Sequence, residues 1–126
     1  MKNGKIQSFT DLVVWQEGHN LVIMTYTITR DFPKEETYSL VDQMRRAAAS
    51  ITANIAEGFG RQSYKEKVQF YYIAKGSLSE LKNFILIAKD INYLTSKQFN
   101  ELLEQANGLD QLLQGFIRKS KTFINH

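Results

Sequence analysis

Apolar residues recur along this chain at helical spacing. The most regular run is Phe99, Leu102, Ala106, Leu109, Leu113 and Phe116, spaced 3, 4, 3, 4 and 3, the seam of a bundle helix with a polar opposite face. An earlier stretch carries two rows at once: Val68, Tyr71, Leu78, Leu81, Ile85 and Ala88, and beside them Phe70, Ile73, Phe84, Ile87 and Ile91. One bundle core cannot absorb both. A third stretch repeats this with smaller side chains, its core row being Leu40, Met44, Ala48, Ile51, Ile55 and Phe59, with Ala49, Ala53 and Ala56 lying across the helix. The first is also broad, with Val14, Leu21, Thr25 and Ile28 beside Trp15, Val22 and Tyr26.

Start signals divide the chain at the same places. Ser39 with Asp42, Ser63 with Glu66 and Thr95 with Gln98 each read as a capping box, in which a hydroxyl and a side chain three residues later satisfy the free amides of a first turn. The single proline, Pro33, ends the first helix in "RDFPKEE" and makes a corner with Phe32. These signals predict helices over residues 11–31, 39–58, 64–92 and 96–120, with flexible termini. Short connections favour antiparallel neighbours, so the expected fold is all-α: an up-down antiparallel four-helix bundle forming a single domain over residues 1–126. The surplus apolar rows point to self-association.

The second helix ends in "SITANIAEGFGR", residues 50–61. Gly58 stands where a helix would close in the left-handed conformation, with Phe59 as the accompanying hydrophobic contact, and Gly60 lets the chain turn towards Ser63. Asn54 and Glu57 are polar where a plain core helix would carry Ala or Leu. One reading has them tie down the turn or bond across a subunit contact, with Glu57 pairing Arg61. Another makes Arg61, Lys65 and Lys67, beside the free amides of the third helix, an anion site. Ser77 and Glu80 interrupt the second apolar row and read as a hydrogen-bonded notch or as a ligand-facing pocket lined also by Tyr71 or Tyr72.

Composition narrows the chemistry. The 126 residues suffice for one core without a staple, and the absence of cysteine excludes disulfides and thiolate sites. No stretch has the roughly 18 apolar residues of a membrane span, and the basic N-terminus lacks an apolar segment behind it, so a soluble, cytoplasmic protein is expected. A net charge of +3 permits an anionic partner without requiring one. Neither histidine sits in the Glu-x-x-His pattern of a di-iron bundle: His19 reads as a partly buried packing residue beside Trp15 and Val22, and His126 as part of a disordered end. No nucleophile motif or nucleotide loop is present, because "EGFGRQ" lacks the third glycine and the lysine. No catalytic residue, metal or cofactor is therefore assigned, and an enzyme is not expected.

The segments "FTDLVVWQEGHNLV", "DFPKEE", "QMRRAAASITANIAEGFGR" and "FYYIAKGSLSEL" resemble, in this order, the signature segments of the 23S ribosomal RNA intervening-sequence protein family over about Phe9 to Ser120. Its most specific element here is Asn54-Ile55-Ala56-Glu57-Gly58 followed by Arg61, supported by Gly76-Ser77-Leu78 and Glu80. The resemblance implies a bacterial four-helix bundle assembled as a homopentamer, with no established enzymatic activity. The chain is also similar to the accessory protein of diversity-generating retroelements, a pentameric bundle that binds nucleic acid, though it is less basic than that relative.

Two functions fit these readings. In one, Arg45, Arg46, Arg61, Lys65, Lys67, Arg118, Lys119 and Lys121 give each protomer a basic patch for RNA or DNA that an assembly would multiply. In the other, the oligomer is a scaffold presenting its surface to a protein partner.

Overall fold

The structure, a computed structural model, describes residues 5–125; residues 1–4 and His126, part of the termini expected to be flexible, lie outside the described residues. Four helices follow one another: α1 (Val13–Thr29), α2 (Leu40–Phe59), α3 (Tyr64–Asp90) and α4 (Ser96–Lys121). Short 3-10 turns at Phe9–Asp11 and Lys34–Glu36 precede α1 and α2. Backbones approach one another around a ring, α1 against α2 and α4, and α3 against α2 and α4. Contacts run in antiparallel order, with Gly58 on Tyr71 and Ser50 bonded to Ser77 across α2 and α3. This is an all-α, up-down four-helix bundle in one domain.

The core is built from the rows that the spacing singles out. Met44, Ala48, Ile51 and Ile55 from α2, all six positions of the first α3 row, and Leu102, Ala106, Leu109 and Leu113 from α4 are buried. Each fully buried Leu or Ile contributes about 1.5–3 kcal/mol of burial, which outweighs the weak intrinsic preference of Ile and Val for helix. Leu40, Phe59, Phe99 and Phe116, at the ends of those rows, are only half-buried. On α1 the buried Thr25 and Thr29 return their hydroxyl protons to the carbonyls of Leu21 and Thr25, at 2.8 and 2.7 Å, so the polar groups enter the core satisfied.

Helix ends separate correct from incorrect expectations. Thr95 and Gln98 form the full reciprocal box on α4, and the Ser63 hydroxyl accepts from the Glu66 amide on α3. Ser39 does not cap α2. Its backbone is turned to φ −123°, ψ −98°, its hydroxyl donates instead to Glu36 at 2.6 Å, and Asp42 pairs with Arg46. The other Glu36 oxygen accepts from the Tyr93 hydroxyl at 2.9 Å, so one carboxylate joins the α1–α2 connection to the α3–α4 connection. These two bonds hold the Glu36 pKa below its ordinary value. The first helix begins later than expected because Leu12 is extended, and the preceding turn has a capping box of its own from Ser8 and Asp11.

Gly58 is not a left-handed cap. It lies within α2, buried, and the α2 end passes through Gly60 at φ −78°, which any residue adopts. The left-handed closure occurs instead on α3, where Asn92 has φ 66° and the Tyr93 amide bonds back to the Ala88 carbonyl. What Gly58 supplies is space: a Cβ there would stand 2.7 Å from the Tyr71 ring and 3.0 Å from Phe70 Cβ. Gly58→Ala is expected to destabilise the fold by about 1–3 kcal/mol through overpacking. Gly60→Ala, whose Cβ meets nothing nearer than 3.6 Å, is expected to be neutral or to stabilise by up to about 1 kcal/mol. Urea unfolding of the two variants checks the contrast; equal effects would remove the steric role of Gly58.

Candidate nucleic-acid interface

A surface for nucleic acid is cationic, so what each cation of the bundle is bonded to bears on whether it is free for a phosphate. Several are consumed within the bundle. Arg45 donates through Nε to the Thr29 hydroxyl at 3.0 Å, lies over the Tyr26 ring at 4.6 Å, and thereby ties α2 to the end of α1. Lys67 donates through Nζ to the Phe59 carbonyl at 2.6 Å, satisfying a carbonyl at the end of α2, and desolvation pushes its pKa below the ordinary 10.5. Arg61 pairs with Glu57 at 3.0 Å and lies over the Phe70 ring at 4.6 Å, while its Nε is buried without a partner among the described residues. Of the three cations that the sequence suggests as an anion site at the start of α3, Lys65 alone is exposed and uncommitted.

The polar signature has a structural use within the protomer. Asn54 donates to the Ser50 carbonyl at 2.8 Å and to its hydroxyl at 3.1 Å, and the Ser50 and Ser77 hydroxyls meet at 2.8 Å across α2 and α3. Ser77 thus fills its notch. Glu80 takes no part in it: the residue is exposed and has no side-chain partner among the described residues. His19 is exposed rather than partly buried, although its ring does stack on Trp15 with centroids 4.8 Å apart. Among the described residues no group of three His, Cys, Asp or Glu stands close enough to hold a metal.

Three further cations, Lys75, Arg118 and Lys121, meet between α3 and α4. A groove of about 460 Å³ is lined by Tyr72 and Lys75 of α3 and by Gln114, Ile117, Arg118 and Lys121 of α4. Tyr72 is 47% exposed, and its hydroxyl accepts from Lys121 Nζ at 3.2 Å. Arg118 is exposed, Lys119 stands beside it on the exposed surface, and Arg46 on α2 is exposed while paired with Asp42.

Asp110 anchors this groove. Its two carboxylate oxygens accept from Lys75 and Lys82, both at 2.8 Å, joining α3 to α4 by a single acid between two cations. Burial alone would raise its pKa, but the hydrogen bonds and charges of the two lysines outweigh that and hold it at about 2. Lys75, Lys82 and Asp110 do not stand out in the sequence. The signal available there is that Lys75 and Lys82 are seven residues apart, hence on one face, with Tyr72 one turn before.

The described residues thus form a four-helix bundle with polar cross-links between its helices and a basic groove that holds an exposed tyrosine. The chain belongs to the 23S rRNA-intervening sequence protein family, whose profile matches residues 10–115. Its fold is similar to that of a protein of unknown function from the S23 ribosomal protein family of Bacteroides thetaiotaomicron. The TM-score is 0.75 and the identity 20%, covering 83% of this chain and 98% of that one. At that identity the likeness speaks to fold alone. No match was found among curated proteins. No helix among the described residues is long and apolar enough to cross a membrane.

The Asp110 carboxyl is depressed from 3.8 to about 2, so its contribution to stability is complete above the unfolded value and is lost as pH falls towards the folded one. Asp110→Asn is expected to destabilise by about 1–2 kcal/mol at neutral pH, allowing for the solvent that still reaches the carboxylate. The difference from the parent should shrink as pH falls from about 4 to about 2. Urea midpoints across that range check it; a constant difference would detach the effect from ionisation.

Proposed function

We propose that this protein is a non-enzymatic cytoplasmic bundle that assembles with copies of itself, as a pentamer, and that the assembly binds single-stranded RNA. The observation that carries the RNA reading is the α3–α4 groove, where an exposed tyrosine ring stands beside Arg118 and Lys121. Cations that track a phosphate backbone and a ring on which a base stacks are the two parts of a sequence-tolerant single-strand site, the stacking alone contributing about 1–3 kcal/mol per base. The family name, which refers to an intervening sequence of 23S rRNA, favours RNA as the nucleic acid.

Self-assembly draws on a separate feature. The second α3 row leaves Ile73, Ile87 and Ile91 at 51%, 40% and 45% exposure, and α2 presents the exposed alanines Ala49 and Ala53. Small residues allow close backbone approach and large apolar ones supply the burial, so these features suit contact with another helix. The pentameric number follows the family resemblance. Repeating one modest groove around a ring would turn weak single contacts into useful affinity. The same apolar row also suits a scaffold for a protein partner, and salt sensitivity separates the two.

Light scattering behind size exclusion, with absorbance recorded at two wavelengths, is expected to give a multiple of the chain mass and co-eluting nucleic acid that high salt removes. Fluorescence anisotropy with single-stranded RNA should then show affinity falling steeply with salt. Tyr72→Ala is expected to weaken binding by about ten-fold or more, and the pair Arg118→Glu with Lys121→Glu by more still, with a shallower salt slope. Binding that ignores both salt and these residues would overturn the RNA reading, and a monomer would overturn the assembly.

A further inference from the structure

At one end of the bundle, lined by different residues from the groove but adjoining it along α3 and α4, lies a cavity of about 360 Å³. It opens where α2 finishes, α3 begins and α4 finishes, with Leu12 of the N-terminal segment against it. Its walls are aromatic. Tyr64 and Phe123 face each other with ring centroids 5.0 Å apart, and Tyr71 and Phe116 with centroids 4.7 Å apart. Phe59 completes the set.

Three polar features stand against this apolar lining. Lys67 reaches the cavity with one ammonium proton committed to the Phe59 carbonyl, and Lys119 lies at its edge. No acidic residue among the described residues lines it to balance either charge. Tyr71, only 2% exposed, has a hydroxyl with no hydrogen-bond partner among the described residues, although it lines the cavity. The Tyr71 hydroxyl thus has a proton to offer at the cavity, and the Lys67 ammonium, over the Phe59 and Tyr64 rings at 5.3 and 5.7 Å, faces it with no carboxylate beside it among the described residues. Two cations and a hydroxyl donor against aromatic walls are complementary to one kind of occupant, an anionic acceptor on an apolar body.

We propose that this end cavity binds a small aromatic carboxylate, its flat body seated among the Phe59, Tyr64, Phe116 and Phe123 rings and its carboxylate held by Lys67, Lys119 and the Tyr71 hydroxyl. The volume sits near the lower end of the roughly 300–1,000 Å³ range of small-molecule pockets, which suits a ligand of one or two fused rings. Neither a nucleotide chain nor a second protomer is needed for it, so the site stands apart from the RNA reading.

Naphthoate, and naphthamide as its uncharged isostere, are suitable probes for titration of the intact protein by calorimetry and proton–nitrogen correlation NMR. One site per chain is expected, with shifts concentrated at the start of α3 and the end of α4. The carboxylate should bind at least about ten-fold tighter than the amide, since hydrogen bonds to charged groups are the stronger ones. Lys119→Gln, an exposed change that leaves the core intact, should abolish most of that preference, and Tyr71→Phe should weaken naphthoate while keeping the ring wall. Equal affinities for the two probes, shifts centred elsewhere, or no saturable binding at millimolar concentration would overturn the proposal.

Discussion

The contact between Gly58 and the Tyr71 ring sets the distance between α2 and α3, and most of the polar architecture depends on that distance. With the helices this close, the Ser50 and Ser77 hydroxyls meet directly, and Asn54 completes the chain of bonds behind them. The same approach brings Lys67 within reach of the Phe59 carbonyl, so the end of α2 is closed by a side chain of α3. Tyr71 itself is pinned between Gly58 and Phe116, and its hydroxyl, whose pKa burial, with a smaller contribution from Tyr64, pushes up to about 12, is left at the end cavity.

A chain with a modest cationic excess has few cations to spare for a partner, and this bundle spends several of them on itself. Arg45, Lys67, Lys75 and Lys82 satisfy hydroxyl, carbonyl and carboxylate groups between helices, and Arg61 covers a phenylalanine while pairing with Glu57. Such contacts are retained because desolvated donors need acceptors, and each one subtracts from the surface available to a phosphate. Three exposed cations, Arg118, Lys119 and Lys121, stand in the last turn of α4, where they favourably face the negative end of the helix dipole.

The apolar surplus follows a different logic. Phe70 and Phe84 of the second α3 row are half-buried within the protomer, Phe70 beneath Arg61, so only Ile73, Ile87 and Ile91 remain as a bare strip. Cation and aromatic residues together thus absorb part of a row that spacing alone would leave wholly outside.

Helical periodicity is a local property of the chain, and the sequence by itself determined what depends on it: four helices, their order, the rows that are buried, and the starts marked by Ser63 and Thr95. Capping at Ser39 was not determined in this way, because its hydroxyl had a competing acceptor in Glu36, whose other oxygen is held by Tyr93 from the opposite connection. The Gly58 contact, the bonding of Lys67 and the Asp110 bridge likewise belong to the tertiary structure. Each depends on the separation and register of two helices, and these are set by how whole side-chain surfaces interlock rather than by any spacing along one strand of sequence.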